Sequence, residues 1–175
     1  MSSAIIVRAH LPSRLEVLRR RSVPDAANGV PAHLTMLYPF MDLEALNQEV
    51  RRAIAVVAQR HRPISYQMTG PHRWPDTVYV GVEPEAPFVA LQADLAAAFP
   101  AYPIYGRPAG FVFVPHITVA EGAAVDDRRT LEDPGWASVA VDAVGRRLEL
   151  IASDGGRWER IWSLPLGGHA GRRRR

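Results

Sequence analysis

Two short stretches of this chain place a threonine two residues after a histidine inside an apolar run. They are Pro31-Ala32-His33-Leu34-Thr35-Met36-Leu37-Tyr38 and Val114-Pro115-His116-Ile117-Thr118-Val119-Ala120. In a β-strand, residues i and i+2 leave the same face. Each stretch therefore presents an imidazole beside a hydroxyl and turns Leu34 or Ile117 the other way, into a core. An imidazole titrates near ~6.5 and serves as neutral base or cationic acid around neutrality. Two such pairs facing each other supply a base, an acid and two neutral donors, the set that attack on a phosphodiester needs. One imidazole takes a proton from the attacking water or ribose hydroxyl, and the other gives one to the leaving oxygen. The Thr35 and Thr118 hydroxyls hold the non-bridging oxygens. Which histidine plays which part is left open by the residues alone.

With five threonines and six histidines in 175 residues, chance seldom produces this pairing twice. A lone pair would read more simply as a strand histidine satisfied in the core. A zinc ion wants three or four ligands, and no further His, Asp or Glu is spaced to complete such a set, so no metal and no cofactor is expected. The aromatic residues Phe40, Trp74, Tyr79, Tyr105 and Phe113 lie on or near the two stretches. Stacking on a base contributes about 1–3 kcal/mol, which makes them candidate substrate contacts. Arg73 and Arg107 fall in turns where a guanidinium could meet phosphate. Arg19 to Arg21 read as a solvated helix end, and His10, His61, His72 and His169, lacking a threonine partner, as structural or surface residues. Nucleophile-elbow, dinucleotide-binding and P-loop patterns are absent.

The elements that must position the pairs can be read from periodicity and breakers. Residues 4–10 and 33–38 read as strands, with a short helix over 13–21 between them and a Pro- and Gly-bearing loop over 23–31. Asp42 is the expected cap of a helix over 43–60, whose apolar positions recur every three or four residues. Strands are expected over 64–69 and 77–82 around a turn at 71–76, then a helix over 88–99 and a loop over 102–111. The second pair rides on a strand over 113–120. Further strands are expected over 138–142, 147–153 and 157–166, with a hairpin turn at 154–156. The two pairs lie 83 residues apart, between His33 and His116. The expected architecture is α+β and bilobal: two similar lobes, each an antiparallel sheet with a flanking helix, around a central cleft.

Composition is that of an ordinary globular chain, 47% hydrophobic and 22% charged, long enough for one domain. We expect a single catalytic domain over 1–166 and a flexible arginine-rich tail over 167–175. The formal charge of +3 divides unevenly. Four of the 21 basic residues, all of them arginine, are the terminal 172–175, leaving 17 against 18 acidic. The body is thus close to neutral and unlike a groove-binding nucleic-acid domain, and the tail is a separate polyanion-binding question. No run approaches the roughly 18 apolar residues of a membrane span. No cysteine is present and no export signal is visible, so a cytoplasmic location is expected.

The two His-x-Thr elements, with His33-Leu34-Thr35-Met36-Leu37-Tyr38-Pro39-Phe40, Val78-Tyr79-Val80-Gly81-Val82-Glu83-Pro84 and Tyr102-Pro103-Ile104-Tyr105-Gly106, resemble the 2H phosphoesterase superfamily, in its bacterial 2′–5′ RNA ligase-like branch. The resemblance covers about residues 1–166. It implies the bilobal fold with both elements in the cleft, His33, Thr35, His116 and Thr118 as catalytic residues, and metal-independent chemistry on 2′,3′-cyclic phosphates or 2′–5′ linkages. The expected partner is an RNA end or a nucleotide carrying a cyclic phosphate, met by a monomer away from membranes. Two alternatives stand beside this: a module that binds RNA ends or nucleotides without turnover, and a small-molecule phosphoesterase of a metabolic pathway.

Overall fold

The computed structural model describes residues 2–108 and 110–167. The expected tail, with His169 and 172–175, lies outside the described residues from position 168 onward. Two four-stranded antiparallel sheets form the frame. The first runs in the order β2-β1-β7-β8 and the second β5-β4-β3-β6. Their strands are β1 (Ser2–Arg8), β2 (His33–Leu37), β3 (Ile64–Trp74), β4 (Thr77–Glu83), β5 (His116–Glu121), β6 (Asp142–Gly145), β7 (Arg147–Ser153) and β8 (Glu159–Pro165). The helices are α1 (Ser13–Ser22), α2 (Pro24–Ala27), α3 (Gln48–Arg60), α4 (Ala86–Ala98) and α5 (Arg128–Leu131).

Each His-x-Thr pair occupies the edge strand of its own sheet, β2 beside β1 and β5 beside β4. The alternation works as expected in both. Leu34 and Met36 on β2, and Ile117 and Val119 on β5, are fully buried, while the histidines and threonines between them are half-buried. Burying such a side chain contributes roughly 1.5–3 kcal/mol, so the inward half of each strand anchors the half that faces the cleft. The two edge strands lie against each other, α1 packs across β5, and α4 packs against β2. One hydrophobic core therefore runs through both sheets. Gly145 is one point of close approach between them, because a Cβ there would sit 2.9 Å from Val7 Cγ1.

The sheets do not follow the halves of the chain. β1 and β2 from one end join β7 and β8 from the other, and β3 to β6 form the second sheet from the middle. Local expectations are corrected in four places. A one-turn helix, α2, replaces part of the 23–31 loop, because Pro24 at its first position needs no amide partner and has φ preset. The cap of α3 is Asn47, whose side chain accepts from the Glu49 and Val50 amides at 2.9 and 3.0 Å; Asp42 precedes only a 3-10 turn at Leu43–Ala45. β3 continues through the expected turn to Trp74, since Gly70 at φ 139° absorbs an irregularity in its pairing with β4. Residues 134–138 form a 3-10 turn capped by Asp133, and the strand expected there begins only at Asp142, beside β3. Among the described residues no helix is long and apolar enough to cross a membrane.

Candidate active site

Between the two edge strands lies a cleft of about 580 Å³ lined by His33, Thr35, His116 and Thr118 together. The backbone holds both imidazoles in the same way. His33 Nδ1 donates to the Pro31 carbonyl at 2.7 Å, and His116 Nδ1 donates to the Val114 carbonyl at 2.8 Å. A carbonyl oxygen only accepts, so each neutral ring carries its proton on Nδ1 and leaves Nε2 bare. The chain segment entering each motif strand thereby fixes the tautomer of the histidine two residues on. At His33 the bare Nε2 accepts from the Thr35 hydroxyl at 3.1 Å.

Burial opposes the charged form of both rings. It pushes His33 down to about 4, helped by the positive charge of Arg19 and by His116 across the cleft, and opposed by the Pro31 carbonyl. His116 is also lowered by burial, against the Val114 carbonyl, with no comparable cation acting on it. The two rings are thus similar in geometry and different in electrostatics. Each can exchange a proton at Nε2 with a group held between them.

Tyr105 spans the cleft. Its hydroxyl meets that of Thr35, and burial raises its pKa, which keeps it a donor. Its ring centroid lies 6.4 Å from that of His116. The residue sits at φ 54° with its amide donating to the Tyr38 carbonyl. A non-glycine residue in that region costs about 1–2 kcal/mol, so the turn holds this side chain in place against its backbone preference. Trp74 sets its ring edge-on to His116 at 4.7 Å. Arg107 lines the cleft at the surface, with its guanidinium 5.8 Å from the Phe111 ring.

Of the expected substrate contacts, Trp74, Tyr105 and Arg107 line the cleft. Phe40 and Phe113 do not. They are 6% and 8% exposed in the hydrophobic core, where Phe40 packs edge-on to Phe99 and Tyr102, both at 5.1 Å. Tyr79 stands behind the lining, 4.1 Å from Trp74 and 5.5 Å from His116. Arg73 pairs instead with Asp126. His61 joins α3 to α4 through Asp94 at 2.9 Å, and His72 bonds Thr69 at 3.0 Å. Among the described residues no cluster of three or more His, Cys, Asp or Glu is placed to hold a metal ion.

Sequence reasoning missed part of the lining. Arg19 is 2% exposed, not solvated, and faces the cleft with Asp25, Asp76 and Glu121. Its signal was present: Arg19 lies four residues after the fully buried Leu15, on the same helical face. Burial raises the Glu121 carboxyl, and the neighbouring charges of Asp25 and Asp76 add to this while Arg19 opposes it.

Comparison with known proteins agrees with this fold. A protein of Shouchella clausii that bears the name phosphoesterase is 30% identical over 107 residues, a match spanning 59% of this chain and 60% of that relative's length. TT0787 of Thermus thermophilus shares the fold with a TM-score of 0.60 at 18% identity, over 97% of this chain and 100% of that one. E. coli LigT, solved in complex with 3′-AMP, does so with a TM-score of 0.60 at 17% identity, over 94% and 97%. The sequence profile of the 2′-5′ RNA ligase superfamily matches residues 7–157. With both His-x-Thr pairs inside that span and the bilobal frame around them, the chain belongs to the 2′-5′ RNA ligase superfamily, the 2H phosphoesterases.

Proposed function

We propose that this protein is a metal-independent phosphodiesterase that opens 2′,3′-cyclic phosphates or 2′–5′ phosphodiester bonds of RNA ends or nucleotides by two-histidine acid–base catalysis. One observation carries the reading: both His-x-Thr pairs line one cleft, and each imidazole is tied at Nδ1 to a backbone carbonyl, which leaves Nε2 for chemistry. His33, held furthest toward neutrality, takes the proton of the attacking water. The water oxygen bonds to phosphorus, the bond to the ribose 3′ oxygen breaks, and His116 protonates that leaving oxygen. Thr35, Thr118 and the Tyr105 hydroxyl stabilise charge on the non-bridging oxygens. With a ribose 5′-hydroxyl in place of water, the same displacement joins 2′–5′ ends, the 5′ oxygen bonding to phosphorus as the 3′ oxygen leaves. In the reverse of that step the 3′ hydroxyl attacks, the 5′ oxygen leaves and the two histidines exchange roles. In this reading the enzyme is a cytoplasmic monomer.

E. coli LigT has been solved with 3′-AMP and with ATP, which supports a nucleotide as occupant of this fold's cleft. The charge of the lining favours a second reading on the same chemistry. Arg19 and Arg107 face Asp25, Asp76 and Glu121, whereas a groove for an extended RNA strand is basic. A mononucleotide or a small phosphorylated metabolite therefore suits the cleft better than a long strand.

The test is turnover in EDTA on a panel of 2′,3′-cyclic nucleotides and small phosphodiesters, with 2′-monophosphates as the nucleotide products. His33→Ala and His116→Ala should each lower the rate by about 10²–10⁴. Wild-type turnover in both variants would refute the mechanism. Binding without turnover on any substrate would leave a recognition module in its place.

A further inference from the structure

The two motifs are near copies, yet one element breaks their equivalence. Arg19 on α1 is buried and extends behind His33. Its Nη1 donates to the Val30 carbonyl at 3.0 Å and its Nη2 to the Pro31 carbonyl at 3.1 Å. That same Pro31 oxygen accepts from His33 Nδ1 at 2.7 Å. One carbonyl thus serves two donors, and one of them carries a permanent charge. At the other motif, the Val114 carbonyl receives only the His116 ring among the described residues.

A carbonyl oxygen bound by Nδ1–H stabilises an imidazolium more than a neutral imidazole, because the charged ring is the stronger donor. A guanidinium on the same oxygen draws on that acceptor and adds like charge beside the ring. Both effects disfavour a protonated His33 and leave His116 untouched. The surrounding charges modulate this without reversing it. Arg19 is faced by Glu16 on its own helix at 3.8 Å, by Asp25 on α2 and by Glu121 on β5, with Arg20 adjacent. His33 itself is faced by Arg19 and by His116 on β5, while the Tyr105 hydroxyl reaches it through Thr35. Among the described residues Arg19 Nε has no partner, so the side chain stays buried although one of its donors is left unmet.

We propose that Arg19 is a positioning residue that makes the two motifs unequal: by sharing the Pro31 carbonyl with His33 it keeps that imidazole neutral with Nε2 bare, as the base, and leaves His116 as the acid. The words base and acid rest on the phosphodiesterase reading, whereas the inequality is a property of the free protein and is measured without substrate.

The experiment is an NMR titration of the full chain labelled with ¹³C and ¹⁵N at histidine, for wild type, Arg19→Gln and Arg19→Lys. In the wild type His33 should titrate below His116, with both neutral rings protonated at Nδ1. In Arg19→Gln the His33 midpoint should rise by about one pH unit while His116 stays fixed, and Arg19→Lys should restore part of the gap. The acid limb of kcat/KM should move up with it, whereas a merely structural loss lowers the whole pH profile by one factor. A wild-type His33 that titrates at or above His116 overturns the proposal, even if Arg19→Gln does not fold. So does a folded Arg19→Gln in which His33 does not move. Absence of turnover would instead count against the phosphodiesterase reading and leave the titration standing.

Discussion

Replacing His33 by glutamine should make the fold less sensitive to acid, and the size of the effect follows from its surroundings. The ring titrates at about 4 in the folded protein against 6.5 in the open chain. Between those values the unfolded chain binds more protons than the folded one, so stability rises with pH across that window and falls as acid is added. The gap of 2.5 pH units corresponds to about 3.4 kcal/mol when fully expressed below pH 4. Between pH 7.5 and pH 5.0 the share already lost is about 2 kcal/mol. His116 is lowered in the same direction, chiefly by burial, and remains in both proteins, so that part of its contribution is common to the two. Urea unfolding of wild type and His33→Gln at the two pH values gives four free energies. The wild type should lose about 2 kcal/mol more than the variant on going to pH 5.0. Equal losses, within about 0.5 kcal/mol, would mean that His33 is solvated and free to charge, and the electrostatic account of the site would fall.

Tyr105→Phe removes the hydroxyl that meets Thr35 and should cost about tenfold in kcat/KM, or ~1–1.5 kcal/mol, with the circular dichroism spectrum unchanged; full activity would remove Tyr105 from the site. Gly145→Ala drives a Cβ to 2.9 Å from Val7 Cγ1, an overpacking that should cost about 1–3 kcal/mol and appear as a lowered Tm. Asn47→Ala should destabilise by about 1 kcal/mol through loss of the α3 cap, measured by urea titration. Asp42→Ala serves as its comparison and should stay within about 0.5 kcal/mol of wild type.

What could be read from the residues was what local geometry decides. The alternation of His33-Leu34-Thr35-Met36 and His116-Ile117-Thr118-Val119 specifies both the strand and the face, because period two leaves one arrangement that buries the apolar residues. Residue type alone did not place the aromatics. Phe40 and Phe113 are as apolar as Trp74, and only the packing of Phe99 and Tyr102 around Phe40 directs it to the core. Arg19 was hidden by its neighbours Arg20 and Arg21, since a charge run suggests solvent while helical phase aligns only one of the three with Leu15. Asn47 and Asp42 are equally good caps by type, and the choice between them depends on where α3 meets α4 and β8. The pairing of β1 with β7 joins Ser2 to Ser153, a contact that no local pattern encodes.

That pairing also sets when the site can exist during synthesis. β7 is the strand that lies between β1 and β8, and it follows both motifs in the chain. A nascent chain that has already emerged past Thr118 holds every residue of both motifs, yet the sheet carrying His33 still lacks two of its four strands. Long-range pairings of this kind close late and slowly. The nascent chain therefore holds both motifs before it has the sheet that places His33, which is complete only once the β7–β8 hairpin has docked.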